Sequence, residues 1–485
     1  MNAMTQANTA EGAKPIPAAR WALASLSLSM VLPSLDTSIA HAGLPTLARV
    51  FDASFAQVQW IVLAYLLAIT TLIVSVGRLG DLVGRRRLLL VGIGIFTGAS
   101  LACGLASTLG WLIAARAVQG LGAAIMMALT VALVADTVPQ ARTGRAMGLL
   151  GSMSALGTTL GPSLGGVLIA SVGWQAIFLI NVPLGIISLL LAWRYLPVDR
   201  PRTPRNKAAF DAVGTLVLAL TLAAYALAMT LGQGHFGALN GILLLTAACG
   251  AGLFAWVESR VEAPLVCLAL LRNRSLSAGL AMSLLVSTVI MSTLVVGPFY
   301  LARGLEFDAL TVGLVLSAGP CVAALTGVPA GRIVDRFGAR RMTVLGLVSM
   351  ALGASGLAML PARLGIAGYV VPMMGLTASY ALFQTANNTL IMGGVSAQQR
   401  GVIAGLLSLS RNLGLITGAA FMGAVFALGS GVSDLTSAQL QAIGTGMQIT
   451  FAVAVVLIMV ALVIAGASQV LARRFRGSEA GEPGL

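Results

Sequence analysis

Asp36 is the residue in this sequence whose position most demands a reason. It lies about 15 residues into an apolar stretch that opens near position 21, roughly 20 Å along a helix. The rest of the 15 acidic residues fall in loops, in tails or near the ends of apolar stretches. A carboxylate at such depth is costly unless a cation or a cavity solvates it, and such groups are usually functional. A carboxyl there could gain and lose a proton in each working cycle; a structural ion pair is the plainer reading. Arg116, within RAVQGLG, is the natural partner. An arginine stays protonated, so it can hold the carboxylate while it is ionised and release it on protonation. His41, five residues after Asp36, does not share its helical face. It reads as an interfacial polar residue near the outer end of the stretch, with a proton relay as the alternative.

Two further devices are built from glycine and charge. Residues 77–87 read GRLGDLVGRRR and residues 331–341 read GRIVDRFGARR. Gly77, Arg78, Asp81, Gly84, Arg86 and Arg87 recur at one fixed offset as Gly331, Arg332, Asp335, Gly338, Arg340 and Arg341. The glycines permit tight backbone approach, Asp81 can accept bonds at a helix N-terminus, and Arg85 and Arg86 hold the loop on the cytoplasmic side. Duplication of the loop, with Asp335 and Gly338 in place, favours a latch that forms and breaks between two halves over a mere topology signal. The second device is GLLGSMSALGTTLGPSLGGVL, in which Gly157, Gly161 and Gly165 recur every four residues and Gly166 follows. Such spacing lines one face of a helix with a groove for a neighbour, and Pro162 within it should bend the helix.

The elements that must carry these groups are membrane helices. The chain has 485 residues, of which 58% are hydrophobic and 9% charged; soluble domains carry about 25% charged residues. Apolar stretches of about 20 residues are long enough to cross a bilayer, and roughly fourteen can be read off. The net charge of +14 would suit nucleic acid were it not so placed. With the N-terminus in the cytoplasm, 24 of the 29 Lys and Arg lie on the cytoplasmic side and three (Arg49, Arg303, Arg363) opposite, while Arg116 and Arg411 lie within spans. That is a positive-inside pattern with both termini cytoplasmic, so nucleic-acid binding is rejected. Cys103, Cys249, Cys267 and Cys321 show no metal spacing. No Walker A, HExxH or nucleophile elbow occurs; neither metal, cofactor nor enzymatic activity is expected.

The loop repeat lies between spans 2 and 3 and again between spans 10 and 11. Gly144, Leu156-Gly157 and Gly161 likewise recur as Gly401, Leu413-Gly414 and Gly418. Two homologous six-helix halves therefore flank two additional helices, an arrangement of parallel repeats found in transporters. The expected organisation is an all-α polytopic membrane protein. It comprises a tail (1–20), a first half (21–194), a basic linker (195–211), two extra helices (212–258), a connection (259–274), a second half (275–470) and a tail (471–485). Arg411, in span 13, has no evident carboxylate in its half and could face a central cavity or bond carbonyls. Trp60, Tyr65, Gln119, Tyr300, Gln384, Asn387 and Asn388 are, with Arg411, candidates to line that cavity. Each is individually more often packing or inter-helix glue.

LDTSIAHAGLPTLARVF, QWIVLAYLLA, GRLGDLVGRRR, RAVQGLGAA, GPSLGG, WQAIFLINVPLG and SRNLG together resemble the fourteen-spanner drug:proton antiporter branch of the major facilitator superfamily. The resemblance covers most of the chain and implies the major facilitator fold. It implies an alternating-access carrier in the bacterial inner membrane that exports amphiphilic drugs or toxic compounds against inward proton flow. In that pattern Asp36 matches the membrane-embedded acidic site, Arg116 the arginine of span 4, and the glycine–proline segment the antiporter motif. The chain departs from the pattern in reading SIAHAGLP where VNVALP is common, and in placing Leu82 at a basic position of the loop. An exporter or symporter dedicated to one metabolite is the alternative. Expected partners are a small amphiphile, protons and the bilayer, acting with a periplasmic adaptor and outer-membrane channel or else as a monomer. With one deep carboxylate, neutral or monocationic cargo is expected ahead of dications, whose exchange for one proton runs against the membrane potential.

Overall fold

The computed structural model describes residues 16–137, 143–199, 211–231, 237–261, 270, 272–392, 400–431 and 440–479. The N-terminal tail up to 15, most of the basic linker, most of the 259–274 connection and the end of the C-terminal tail lie outside these. The described chain is helical throughout its ordered elements: α1 (Ile16–Val50), α2 (Phe55–Val83), α3 (Arg85–Gly104), α4 (Leu109–Thr137), α5 (Thr143–Ser171), α6 (Ala176–Leu179) and α7 (Asn181–Tyr195). There follow α8 (Ala212–Thr230) and α9 (Ala238–Glu258), then α10 (Arg274–Phe299), α11 (Ala309–Phe337), α12 (Ala339–Met359), α13 (Pro361–Met392), α14 (Arg400–Thr417), α15 (Gly423–Ser430) and α16 (Leu440–Glu479). Among the described residues 14 segments are long and apolar enough to cross a membrane, with α6–α7 and α14–α15 each forming one of them.

Local chemistry explains the breaks. Ser54 and Gln57 form a reciprocal capping box at the start of α2 (2.8 and 3.3 Å), and Asp211, Asn273 and Asp308 cap α8, α10 and α11. Pro183 lacks the N–H that would bond the Leu179 carbonyl, which separates α6 from α7. Pro298 likewise precedes a π-helical turn at Tyr300–Gly304, and a second π turn, Gly418–Met422, joins α14 to α15. Gly84 and Gly338 turn the two repeated loops with φ of 105° and 86°, a conformation that other residues adopt at a cost.

The glycine groove packs against protein. A Cβ added at Gly157 would lie 2.7 Å from the Val31 carbonyl oxygen, and one at Gly161 2.5 Å from the Ser38 Cβ, so both glycines admit α1. Gly165 admits Ile39 of α1, while Gly166 faces the Ala309 carbonyl oxygen of α11 at 2.6 Å. The second half repeats the device: Gly414 and Gly418 admit Leu284 and Met291 of α10. Hydroxyls reinforce both interfaces, with Ser38 donating to the Thr158 carbonyl (2.7 Å) and Thr288 to the Gly414 carbonyl (3.1 Å).

Both described ring contacts between the halves lie at one end of the bundle, where α1 passes to α2 and α10 to α11. Phe55 meets Phe299 edge-on (4.6 Å between centroids) and Phe426 at 5.3 Å. Beside them Gln59 occupies the space over Gly423, and Gly313 rests on the Pro162 carbonyl. The extra pair packs on the side of this bundle. α8 lies along α2 through Ser75–Thr215 (3.0 Å) and Trp60–Thr230 (3.1 Å), and it also touches the second π turn. α9 is mostly exposed, as a lipid-facing helix would be.

Glycines that admit backbone should not tolerate even a methyl group. Gly122, whose added Cβ would sit 2.6 Å from the Phe96 amide nitrogen, is expected to lose about 1–3 kcal/mol as Gly122→Ala. Gly98→Ala meets nothing within 4 Å and should be neutral or gain up to ~1 kcal/mol from helix propensity. Thermal unfolding of the two variants in detergent separates these outcomes.

Candidate functional site

Four elements of the first half bring polar groups to one buried point. Asp36 of α1 and Arg116 of α4 form an ion pair, both 0% exposed. The other carboxylate oxygen, Oδ1, accepts from Gln119 Nε2 (2.9 Å) and Asn181 Nδ2 (2.8 Å). Gln119 also donates to Ser100 Oγ of α3 (2.8 Å). Asp36 is thus a carboxylate held by three donors from α4 and α7. Such a pair stays buried only because each member is hydrogen-bonded as well as paired.

Arg116 is held independently of its carboxylate. Its Nε donates to the Ile61 carbonyl (3.1 Å) and its Nη1 also to Gln119 Oε1 (2.6 Å). Its guanidinium lies over the Tyr65 ring at 4.2 Å, a favourable cation–π arrangement, and Tyr65 Oη donates to the Pro33 carbonyl (3.3 Å). Protonating Asp36 would cancel its charge and leave Arg116 with these other contacts. Asp36 lies on α1, the helix seated in the glycine groove of α5.

The sequence-derived candidates separate in space. Tyr65 and Gln119, read as cavity residues, are walls of the ion-pair site. Trp60 bonds α8 instead of facing a cavity. Tyr300 stacks on Tyr369 at 6.0 Å, and Asn387 donates to the Gly279 carbonyl (3.0 Å), so both serve helix packing. Gln384, Asn388 and Arg411 are half-buried in the second half. His41 is not interfacial: it is 2% exposed, and neither ring nitrogen has a partner, because it projects into the packed interior around α1. Asn181, Ser100 and Asp199 are the polar residues that sequence reasoning missed. An amide within an apolar run, next to Pro183 in LINVP, was the available signal for the first.

The side chains of Arg78 and Asp81 lie outside the described residues. At the start of α3 the cap is Asp199, from the chain leaving α7, whose carboxylate accepts from the Arg86 (2.9 Å) and Arg87 (3.1 Å) amides. Arg86 donates to the Trp193 carbonyl, and Arg85 reaches the Ala132 carbonyl at 3.5 Å. These bonds tie the first loop to its own half. Asp335 is exposed, and a Cβ on Gly338 would meet nothing within 4 Å. Among the described residues no group of three His, Cys, Asp or Glu could hold a metal.

Removing one partner of a buried pair leaves an uncompensated charge, which costs about 3–5 kcal/mol. Arg116→Ala should therefore lower the unfolding temperature sharply. Arg116→Ala combined with Asp36→Asn should recover part of the loss, and Arg116→Lys should lose less than Arg116→Ala. Equal melting of the single and double variants would show that the pair is not the source of the cost.

Comparison with known proteins agrees with this geometry. The model of the Major Facilitator Superfamily matches residues 26–419. The chain is 30% identical over 402 residues to the riboflavin transporter RibZ of Clostridioides difficile, covering 83% of this chain and 87% of the relative. It is 32% identical over 409 residues to the multidrug resistance protein Stp of Mycobacterium tuberculosis, covering 84% and 75%. It is 30% identical over 411 residues to the tetracenomycin C resistance and export protein of Streptomyces glaucescens, covering 84% and 75%. In fold it is similar to a bacterial homologue of the human lysosomal transporter Spinster, solved inward-facing and unoccupied (TM-score 0.68, 17% identity, 93% and 97% covered). Helices with a buried acid–arginine pair, a duplicated glycine-arginine loop and this family match place the chain among membrane carriers, not enzymes: it belongs to the Major Facilitator Superfamily.

Proposed function

We propose that this protein is a proton-coupled exporter of amphiphilic compounds, an antiporter that works by alternating access in a bacterial inner membrane. The observation that carries the reading is Asp36, a carboxylate buried within the span and bound to Arg116, Gln119 and Asn181. A group so placed can exchange a proton only when a conformational change opens a path to it. Protonation releases α1 from α4 and α7, and α1 is the helix that slides in the groove of Gly157, Gly161 and Gly165. The names of three relatives support export: multidrug resistance, drug efflux, and tetracenomycin C resistance and export.

With the basic loops on the cytoplasmic side, the end closed by Phe55, Phe299 and Phe426 is the outer one. Gly166 and Gly313, where α5 meets α11, complete the same closure. One proton moving inward down ~100 mV yields about 2.3 kcal/mol, and each pH unit adds about 1.4 kcal/mol. That supports more than a tenfold gradient of a neutral cargo. Similarity to a riboflavin transporter favours a second reading, a carrier dedicated to one metabolite.

In proteoliposomes under an imposed pH gradient, the wild type should move N-phenyl-1-naphthylamine and ethidium. Asp36→Asn should reduce this to background while remaining monodisperse and inserted. Full pH-driven movement by Asp36→Asn excludes it as the proton site. Movement of riboflavin with none of the other compounds would select the dedicated carrier.

A further inference from the structure

Arg411 is the one arginine of the second half that lies well within a span, and the repeat gives it no acid. Ion pairing of Arg411 is absent among the described residues, and it is half-buried on α14. Its charge reaches Tyr380 of α13, whose hydroxyl has Ser287 of α10 and Gln384 next to it. These helices meet on the interior side, because α13 turns Val371 (66% exposed) and Met374 (39%) outward, on the face opposite Tyr380. The close contacts of Gly157 with Ser34 and of its counterpart Gly414 with Ser287 match Ser287 to Ser34, the neighbour of Pro33. Pro33 accepts from Tyr65 beneath Arg116, so Arg411 stands at about the depth of Asp36 on the other half. Away from span ends, Asp36 and Arg116 cancel each other, and Arg411 leaves that layer with one positive charge.

We propose that Arg411, assisted by the Tyr380 hydroxyl, is the anion-recognising wall of the space between the halves, so that the preferred cargo is an aromatic amphiphile bearing one acidic group such as a sulfonate, carboxylate or ionised phenol. This deepens the export reading and rests on it for the word cargo. A guanidinium in a poorly solvated layer attracts an anion and repels a cation, and its planar fork binds two acceptor oxygens at once. The inference moves the expectation away from monocationic cargo. It also changes the electrical account: a monoanion leaving as one proton enters carries two positive charges inward per cycle, against one for a neutral cargo and none for a monocation.

The test uses two probes with one ring system, 8-anilinonaphthalene-1-sulfonate (an anion) and the neutral N-phenyl-1-naphthylamine. Both are bound to the full chain in nanodiscs, with binding to empty discs subtracted. Arg411→Gln should weaken the sulfonate by about tenfold or more, the scale of a lost charge-assisted hydrogen bond, and the neutral probe by less than about threefold. Arg411→Lys should fall between, and Tyr380→Phe should lower the sulfonate-to-neutral ratio in the same direction. An unchanged ratio in Arg411→Lys and Tyr380→Phe overturns the proposal even if Arg411→Gln fails to fold. Equal weakening of both probes by Arg411→Gln overturns it too, because the role is then structural. Binding without a gradient tests the charge of the site, whereas pH-driven movement of the neutral probe tests export, so either can fail alone.

Discussion

The structure is organised around one buried ion pair. Asp36 and Arg116 sit where water does not solvate them, so each must be satisfied by protein, and the cost of failing to do so fixes the arrangement of four helices. α4 supplies the cation and Gln119, α7 supplies Asn181, and α3 supplies Ser100 to orient Gln119. A carboxylate that binds only when charged makes this cluster conditional. Arg116 also bonds the Ile61 carbonyl and lies over Tyr65, contacts that do not involve Asp36. The energy of the pair therefore bears on α1 alone, the helix with the freedom to move.

That freedom comes from the interfaces α1 makes elsewhere. Its contact with α5 is close, with Gly157 against the Val31 carbonyl and Gly161 and Gly165 against Ser38 and Ile39, and it is sealed by two hydroxyl bonds. The halves meet at one end through aromatic edges and small residues. Each ring pair is worth about 0.5–1.5 kcal/mol, small beside the cost of about 3–5 kcal/mol for leaving a buried charge unpaired. Among the described residues strong polar bonding stays within a half and weak apolar bonding runs between halves, which is the condition for two rigid bodies to rock.

Much of this was legible in the sequence because membrane burial turns chemistry into pattern. Apolar length gives the spans, loop arginines give the sidedness, and a lone carboxylate in mid-span announces itself by its cost. The duplicated loop with Gly84 and Gly338 showed two halves before any fold was known, and in the structure both glycines take positive φ. Uncharged polar residues were not legible. Trp60, Tyr300 and Asn387 share residue types with cavity ligands, and only the direction each side chain takes shows that they bond or stack on neighbouring helices. Asn181 escaped notice for the same reason. Asp199 escaped because its partner amides lie in the first turn of α3, far away in sequence. His41 looked interfacial from its distance along α1, but neighbouring helices extend past it and bury it.

The two halves share a packing scheme and differ in charge, and the difference is what a coupled carrier needs. Gly157 and Gly161 against α1 correspond to Gly414 and Gly418 against α10, so the same close approach recurs. Asp36 has an apolar counterpart, Ile290, and Arg116 corresponds to Val370. The second half thus carries no deep carboxylate in its sequence; its deep charge is Arg411. If both halves carried titratable pairs, a proton could be taken up without any consequence for the other body. Confining titration to one half means that protonation shifts the balance of α1 against a fixed partner, and any cargo held between the halves is subject to that shift.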